Sequence, residues 1–517
     1  MQGGNHINAS CPIPERSHHL SAVLLVSVFL IAACGLIYEL IAGTLASYLL
    51  GDSILQFSTV IGVYLAAMGL GSFLSSYITK GLIARFIEIE LMVGLIGGFS
   101  SSLLFMAFAY TQSFRLLLYF LVIVVGTLVG LEIPLLMRIL KERFQFKELV
   151  AHVLTFDYLG SLGASLLFPI LLVPKLGMVR SALLFGLINA GVALWSVYLF
   201  REHIARHRSL VAQCFIVVAM LLAGMVFAER ISNAADNQLY ADDVIFTRDT
   251  QYQRIVLTKW KDDVRLFLSS HLQFSSRDEY RYHEALVHPG LAALPGARRV
   301  LVLGGGDGLA VREILRYPDI EKIQLTDLDP EMTKLFSTHP LLSKLNDHSL
   351  TNPKVHVTNA DAFVWLDQTQ DMYDFVVVDF PDPTNYSLGK LYTTAFYRLL
   401  KHHVSRGGMI VVQSTSPLFA RQSYWCIAET MKQAGFEVNP YHVYVPSFGE
   451  WGYVLGGLEH YQPPATLPTG LKFLTAQNVP EMFHFPIDMG AVPVTANRLN
   501  DQVLVRYYDT EWKAIAR

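Results

Sequence analysis

Long apolar stretches in the first half of the chain constrain its fold more than any other feature. Each is close to the length of about 20 residues that an α-helix needs to cross the hydrocarbon core of a bilayer. The connections between them are short and polar, as in KERFQFKE and REHIARHRS. The stretches occupy residues 21–48, 54–79, 89–110, 116–137, 150–173, 178–200 and 210–228. The pattern predicts a polar tail over residues 1–20 and a multi-pass α-helical membrane domain of about seven helices over residues 21–230.

Acidic residues lie within these stretches, among them Glu39, Glu132 and Asp157. Ionisable groups at membrane depth are costly and usually face the interior of a helix bundle or a water-filled cavity. The three residues therefore fit a polar pathway or a cation site between helices. They equally fit carboxyl groups that hydrogen-bond neighbouring helices or lie near the membrane interface. The sequence leaves both interpretations open.

The second half of the chain, from Glu229 onward, has the composition of a soluble protein. The whole chain is 52% hydrophobic and only 16% charged, whereas ordinary soluble domains are about 25% charged, and the deficit falls within the apolar stretches. The net charge of −3 and the absence of a basic stripe predict no nucleic-acid partner. The four cysteines, Cys11, Cys34, Cys214 and Cys426, lack the spacing of a zinc site, and no metal site is predicted.

The soluble half reads first as short strands and then as strands that alternate with helices. The alternation starts at residue 299 with VLVLGGGDG and continues through KIQLTDLDP, KVHVTNADA, FVVVDFPDP and GMIVVQSTS. This order predicts a doubly wound parallel sheet of the α/β Rossmann-like type. We expect a small β-rich subdomain with the start of a substrate pocket over residues 231–298. A nucleoside-binding catalytic domain should follow over 299–460, and a C-terminal extension over 461–517.

Each predicted strand of this sheet ends in residues that could bind a ligand or take part in a reaction. The first ends in Gly304, Gly305 and Gly306, which allow the backbone to approach a ligand closely. The second ends in Asp327, at the spacing of an acid that binds ribose hydroxyls. Asp361 follows the third strand and could reach an adenine amino group. Because ligands of such sheets bind at the carboxyl ends of the strands, the sequence predicts a nucleoside-binding crevice there.

Asp307, directly after the glycines, narrows the choice of nucleoside. Its negative charge would oppose the pyrophosphate of a dinucleotide and the carboxylate tail of S-adenosylmethionine. The same charge attracts an amine, so it discriminates between cofactors by repulsion as well as attraction. Decarboxylated S-adenosylmethionine, which carries a bare aminopropyl amine, fits this position.

These segments together resemble the aminopropyltransferase family, of which spermidine synthase is the best known member. The resemblance covers roughly residues 249–453 and rests on segments in the family's order. They are YQRIVL, LQFSSRDEYRYHEALVHPGL, VLVLGGGDG, DLDP, NADA, VVVDFPDP and LYTTAFYRLLKHHVSRGGMIVVQ. The tail LKFLTAQNVPEMFHFPIDM and the apolar half resemble the membrane-attached branch of that family.

The resemblance implies a role for each matching position. Asp379 would be the catalytic base. The amine substrate and the aminopropyl amine would be bound by Tyr282, His283, Asp307 and Asp382. The nucleoside would be held by Gln253, Gly304, Gly305, Gly306, Asp327, Asp361 and Ala362. Decarboxylated S-adenosylmethionine would be a co-substrate with no permanently bound cofactor, and putrescine or a related amine would be the acceptor.

The chemistry of the reaction agrees with these roles. Putrescine is a dication at neutral pH, and acidic and aromatic groups suit its pocket. A protonated amine cannot attack carbon, so a carboxylate must accept a proton before or during the displacement beside the sulfonium. We therefore predict the formation of spermidine and 5'-methylthioadenosine. The alternatives are a methyltransferase that uses intact S-adenosylmethionine, and a membrane transporter or sensor whose nucleoside domain only binds ligand.

Two departures from the family pattern leave the amine acceptor open. Family members usually carry Leu-Asp-Gly where this chain has Leu268-Ser269-Ser270, and a proline where it has Asn385-Tyr386. The second position lies in the loop that covers the active site in the family. Norspermidine, thermospermine or another amine could therefore be used or made. The resemblance also suggests a homodimer.

The side of the membrane that carries the catalytic domain is predicted differently by two criteria. Cationic residues collect in the even-numbered connections, at Lys80, Arg85, Arg138, Lys141, Arg143, Lys147, Arg201, Arg206 and Arg208. The odd-numbered connections hold Arg115, Lys175 and Arg180. The positive-inside rule therefore places the N-terminus in the cytoplasm, and seven spans would place the C-terminal half outside. The co-substrate is made in the cytosol, and on that ground we expect a cytoplasmic catalytic domain at the inner membrane.

Overall fold

The computed structural model describes residues 15–50, 53–110, 113–141, 146–240 and 242–515. The chain divides into two compact units, Met1–Ala241 and Asp242–Arg517. Most of the predicted polar tail, residues 1–14, lies outside the described residues. Its last residues belong to the first helix, which begins at Glu15 rather than near residue 21.

The described part of the first unit consists of long α-helices. They are α1 (Glu15–Leu50), α2 (Ser53–Ser75), α3 (Leu82–Tyr110), α4 (Phe114–Leu140), α5 (Phe146–Leu167), α6 (Val173–Leu199) and α7 (His207–Leu239). A π-helical turn, Phe168–Leu172, joins α5 to α6. Helix α7 ends at Leu239, so the domain boundary predicted at residue 230 is wrong, because it lies inside a helix. The helix can continue there because the segment after the apolar stretch holds no proline or glycine.

In the described part of this unit, six segments are long and apolar enough to cross a membrane, and one of them, Lys147–Leu199, has 53 residues. At a rise of 1.5 Å per residue that segment would be about 80 Å long, more than twice the thickness of the hydrocarbon core. It is interrupted at Gly177, whose φ of 72° and ψ of 171° are not helical. The stretches on the two sides of Gly177 correspond to the fifth and sixth predicted spans.

The outward faces of these helices expose large apolar side chains. Leu65 is 57% exposed, Phe120 60%, Ile170 71% and Val226 76%. The inward faces form one apolar core that runs through the described helices of the unit. Large exposed apolar faces of this kind are typical of surfaces that contact a membrane or another protein.

The second unit contains two sheets and the helices that pack on them. Its elements are β1 (Asp243–Asp249), β2 (Arg254–Trp260), β3 (Asp263–Leu268), β4 (His271–Ser275), α8 (Glu279–Leu291), β5 (Arg299–Gly304), α9 (Leu309–Ile314), β6 (Lys322–Asp327), α10 (Pro330–Thr338), α11 (Pro340–Leu345), β7 (Val355–Asn359), α12 (Ala362–Gln368), β8 (Tyr373–Asp379), α13 (Tyr386–Gly389), α14 (Thr394–Lys401), β9 (Val404–Gln413), α15 (Arg421–Gln433), β10 (Glu437–Val445), β11 (Gly449–Gly457) and α16 (Val503–Ile515).

The small β-rich subdomain and the Rossmann-like sheet are both present. Strands β1 to β4 form an antiparallel sheet in chain order. The larger sheet has the order β10-β11-β9-β8-β5-β6-β7. Its strands β5 to β9 are parallel, as predicted, but β11 is antiparallel to both of its neighbours, β9 and β10. The prediction of an all-parallel sheet is therefore wrong at one edge, because the short connection from Val445 to Gly449 can form a hairpin but not a crossover.

Helices cover both faces of the larger sheet. Strand β5 is therefore apolar from Val300 to Leu303. Val300 and Val302 belong to the core on one face, and Leu301 and Leu303 to the core on the other. A parallel strand that is buried on both faces reads as a continuous apolar run. The run ends where the sheet ends, and the glycines and carboxylates begin there.

The C-terminal extension packs on the catalytic domain. Trp425 donates from Nε1 to the carbonyl of Met489 at 2.9 Å, and Asn497 is fully buried. Glu511, in α16, accepts hydrogen bonds from the backbone N–H groups of Gln422 and Ser423, at the start of α15. The extension is thus part of the same packed unit.

Candidate active site

The turn after β5 brings the first and fourth strand ends together. Gly304 pairs with Asp379 in the parallel register, and the N–H of Gly305 donates to the carbonyl of Asp379 at 3.1 Å. Gly304 has a φ of 79°, and a Cβ atom there would lie 2.2 Å from that carbonyl oxygen. Only glycine meets both conditions without strain. The N–H of Gly306 then donates to Oδ2 of Asp327 at 3.2 Å, which connects the turn to the second strand end.

Asp379, the predicted catalytic base, is held by Tyr282 of α8. The hydroxyl of Tyr282 donates to Oδ1 of Asp379 at 2.5 Å. Burial, and then the charge of Asp307, raise the pKa of Asp379 to about 6, although His283 and the Tyr282 hydroxyl act in the opposite direction. A carboxylate with a raised pKa near neutrality suits a general base.

Asp307 and His283 lie beside Asp379 and belong to a chain of charged groups. Burial is the main cause that raises the pKa of Asp307, and its Oδ1 accepts from the N–H of Leu309 at 2.9 Å. Nδ1 of His283 lies 2.8 Å from the carbonyl oxygen of Glu279 and 2.9 Å from its Oε2. Both partners are acceptors, so Nδ1 carries a hydrogen. Burial lowers the pKa of His283, but the hydrogen bond and the charge of Glu279 outweigh it, and the net direction is upward.

Glu279 is itself fixed by a bidentate ion pair. Nη1 and Nη2 of Arg312, in α9, donate to Oε1 and Oε2 of Glu279, each at 2.9 Å. This geometry is the strongest that the arginine–carboxylate pair offers. The sequence prediction named neither residue, although both stand within a few positions of the predicted His283 and Asp307.

Asp382, the predicted amine-binding residue, lies past the end of β8 in a second polar group. Gln413, at the end of β9, donates from Nε2 to Oδ1 at 3.1 Å. The hydroxyl groups of Thr415 and Tyr508 donate to Oδ2 at 3.1 and 3.0 Å. Burial raises the pKa of Asp382, and these three hydrogen bonds lower it. The charge of His271, at the start of β4, lowers this pKa as well, but the net direction for Asp382 is upward.

Tyr508 was missed by the sequence prediction. It belongs to α16 in the C-terminal extension, 126 positions from Asp382, and no motif marks it. Gln413 could have been found, because it occupies the last position of a strand whose neighbours end in the predicted site residues.

Asp327 and Gln253 come together at the nucleoside end of the site. Oδ1 of Asp327 accepts from the N–H of Asp329 at 2.8 Å. Gln253 donates from Nε2 to Oδ2 of Asp329 at 3.1 Å, and Thr250 donates to the same oxygen at 2.9 Å. Burial is the main cause that raises the pKa of Asp327 to about 7.

Asp361 and Ala362 begin helix α12 and lie beside a lysine. Oδ1 of Asp361 accepts from the N–H of Phe363 at 2.9 Å, and Nζ of Lys390 lies 2.5 Å from Oδ2. Ala362 is buried. The Asp361 carboxylate that is predicted to bind the adenine amino group therefore already has two partners. A carboxylate offers about four acceptor positions, so room for an amino group remains.

Known proteins resemble the chain over nearly its whole length. Residues 279–463 match the model of the spermine/spermidine synthase domain. The polyamine aminopropyltransferase of Leptospira interrogans is 53% identical over 496 residues, which cover 96% of this chain and all of that protein. Polyamine aminopropyltransferase 1 of Ralstonia nicotianae is 52% identical over 98% of both chains.

A solved structure of spermidine synthase in complex with the transition-state analogue AdoDATO also aligns with the chain. The alignment has a TM-score of 0.44 and 21% identity, and it covers 47% of this chain and 85% of that one.

The resemblance predicted from the motifs is thus confirmed by relatives that match both units. The chain belongs to the polyamine aminopropyltransferase family, and the protein is a transferase.

Proposed function

We propose that the protein transfers the aminopropyl group of decarboxylated S-adenosylmethionine to putrescine, with spermidine and 5'-methylthioadenosine as products. One observation carries this proposal. Asp379 at the end of β8 and Asp382 just after it are two carboxylates with different hydrogen-bond surroundings. Asp379 has one hydroxyl partner and a pKa of about 6, whereas Asp382 accepts three hydrogen bonds. The first is suited to accept a proton, and the second to bind a cation.

The substrates are assigned by charge and by the order of the strand ends. Asp327, with Asp329 and Gln253 behind it, would take the ribose hydroxyls. Gly304 to Gly306 would lie against the sulfonium side of the co-substrate, and Asp307 would bind its aminopropyl amine. Asp307 would repel a carboxylate on the co-substrate, and this repulsion disfavours the binding of intact S-adenosylmethionine.

The reaction is a displacement at the carbon beside the sulfonium. The amine nitrogen of putrescine forms the new bond to that carbon, and the carbon–sulfur bond breaks with its electron pair on sulfur. The leaving group is a neutral thioether, and the proton of the attacking nitrogen goes to Asp379. Much of the acceleration comes from holding the two substrates in line, which the rigid strand ends favour.

Asp379→Asn should abolish this transfer. The amide has the shape of the carboxylate but cannot accept the proton, and the rate of spermidine formation should fall by about 100-fold or more. The measurement is mass-spectrometric detection of spermidine and 5'-methylthioadenosine by the purified full-length protein with putrescine and the decarboxylated cofactor. Asp371→Asn, which removes an exposed carboxylate near the start of β8, is the matched control and should keep full activity. Methyl transfer from intact S-adenosylmethionine without aminopropyl transfer would contradict the proposal, and unchanged spermidine output by Asp379→Asn would refute catalysis by this site.

The pH dependence of kcat/KM should depend on the hydrogen bond that the Tyr282 hydroxyl donates to Asp379. Asp379 must be deprotonated to act, so activity should fall as the pH drops through about 6. The Tyr282 hydroxyl stabilises the carboxylate and lowers its pKa; Tyr282→Phe should therefore move the acid limb to higher pH. Tyr461→Phe, which removes a hydroxyl bonded to the carbonyl of Pro289, is the control. An acid limb that stays in place in Tyr282→Phe would show that another group limits the rate.

Tyr508→Phe should weaken binding of the amine acceptor. Loss of a donor to Asp382 makes that carboxylate less stable in its charged form, and hydrogen bonds to charged groups contribute about 1.5–3 kcal/mol. We expect KM for putrescine to rise roughly tenfold, with kcat changed much less. Tyr507→Phe tests the neighbouring hydroxyl, which faces the N–H of Thr495 instead. Equal effects of the two substitutions on KM would refute the assignment.

The helical unit is proposed to cross the inner membrane, with the catalytic unit in the cytoplasm. The apolar outward faces and the six long apolar segments support insertion. The substrates of the reaction are charged and are made in the cytosol, and we give this more weight than the cationic connections, which favour the opposite side.

A reporter fused to the C-terminus tests the side of the membrane. A green fluorescent protein fusion should be fluorescent, and an alkaline phosphatase fusion should be inactive in intact cells. The reverse pair of results would place the catalytic unit outside, as the cationic connections predict.

A further inference from the structure

Two carboxyl groups in the core of the helical unit have no partner among the described residues. Glu90, in α3, is 0% exposed, and Glu132, in α4, is 1% exposed. None of their four carboxyl oxygens has a hydrogen-bond partner. Buried polar groups in folded proteins are nearly always hydrogen-bonded, so this pair requires an explanation.

The two carboxyl groups belong to one cluster. Glu90 lies eight positions after the start of α3 at Leu82, and Glu132 eight positions before the end of α4 at Leu140. The two helices are consecutive, and a rise of 1.5 Å per residue places both groups about 12 Å from the same end of the unit. The charge of Glu90 acts on Glu132, in agreement with this placement.

Tyr38, in α1, adds a third buried polar group without a hydrogen-bond partner in the described part of the chain. It is 2% exposed. Its ring lies on α3, since a Cβ atom at Gly97 would be 2.7 Å from it. Both glutamates act electrostatically on its hydroxyl.

The surroundings make this arrangement unfavourable without a ligand. Leu91, Val93, Leu131 and Leu135, next to the two glutamates in sequence, are buried in the apolar core. An ionised carboxylate without a partner in such surroundings costs several kcal/mol, and a buried cation that accepts its charge removes most of that cost.

We propose that Glu90, Glu132 and Tyr38 form a binding site for a linear alkylammonium ion, a di- or polyamine, inside the helical unit. The choice of a polyamine rests on the proposed function. An ammonium group has three donors, which two carboxylates and a hydroxyl can accept, and its alkyl chain suits the apolar walls. No group of three or more His, Cys, Asp or Glu side chains converges in the described part of the chain, so the six or more oxygens that Mg²⁺ or Ca²⁺ take are not offered by side chains.

Equilibrium binding of radiolabelled spermidine to the full-length protein in detergent tests the proposal. The wild type should bind two equivalents, one in the catalytic site and one in the helical unit. Glu90→Gln/Glu132→Gln should lose one equivalent and keep aminopropyl transfer within about twofold. Asp379→Asn/Asp382→Asn should lose the other equivalent and all activity. Glu88→Gln, at an exposed carboxylate two positions from Glu90 that pairs with Arg85, is the matched control and should bind as the wild type does.

Tyr38→Phe supplies a second test that keeps both carboxyl groups. It should raise the dissociation constant of the helical-unit equivalent roughly tenfold, since it removes one donor–acceptor partner of a charged group. The proposal is overturned if the wild type binds a single equivalent that Asp379→Asn/Asp382→Asn removes, or if neither Glu90→Gln/Glu132→Gln nor Tyr38→Phe alters binding. Those results leave the proposed catalytic function intact. Failure of spermidine formation, with a Glu90-dependent equivalent retained, would instead refute the catalytic proposal alone.

Discussion

The close approach of the turn after β5 to the backbone of Asp379 is the constraint on which the active site depends. The carbonyl of Asp379 accepts from Gly305, and the bare Cα of Gly304 leaves room for it. The same turn continues to Gly306, whose N–H holds the carboxylate of Asp327. One stretch of backbone therefore sets the distance between the nucleoside end and the base. Because backbone hydrogen bonds fix that distance, the two substrates meet a geometry that exists before they bind.

The second physical theme of the site is an excess of negative charge. Asp307, Asp327, Asp379 and Asp382 are gathered at neighbouring strand ends, and burial raises the pKa of each of them. In the described part of the chain none of the four forms an ion pair with a lysine or arginine, and Arg312 pairs with Glu279 instead. The sulfonium and the amines of the proposed substrates would supply the missing positive charge. Repulsion among the carboxylates in the free enzyme thus becomes attraction for cationic substrates.

Patterns of period and order were enough to predict the sheet and its functional edge. Strand-like runs that end in glycine or polar residues identified five parallel strands, and the strand-end rule placed Asp327 and Asp379 at one crevice. Strands β10 and β11 were not predicted, because Glu437, Asn439, Pro440 and His442 interrupt the apolar pattern of β10. The ion pair of Asp361 with Lys390 joins segments 29 positions apart, and no periodicity reports such a contact. Glu90 was not singled out from the sequence, because a stretch that begins at residue 89 places it at the edge of the predicted span. Helix α3 begins at Leu82, so Glu90 lies well inside the helix.

The amine end of the site is built partly from sequence outside the domain that the family model covers. That domain ends at residue 463, and both Tyr508 and Asn497 lie beyond it. Asn497 donates from Nδ2 to the carbonyls of Gly389 and Tyr392, and so holds the segment that follows Asp382. The predicted base, Asp379, and most of the predicted nucleoside contacts, in contrast, lie at or next to strand ends within the shared domain. Under the proposed function, changes in the extension would therefore alter how an amine is bound without disturbing the group that takes its proton. Such a division lets selectivity for the acceptor diverge while the displacement chemistry stays the same.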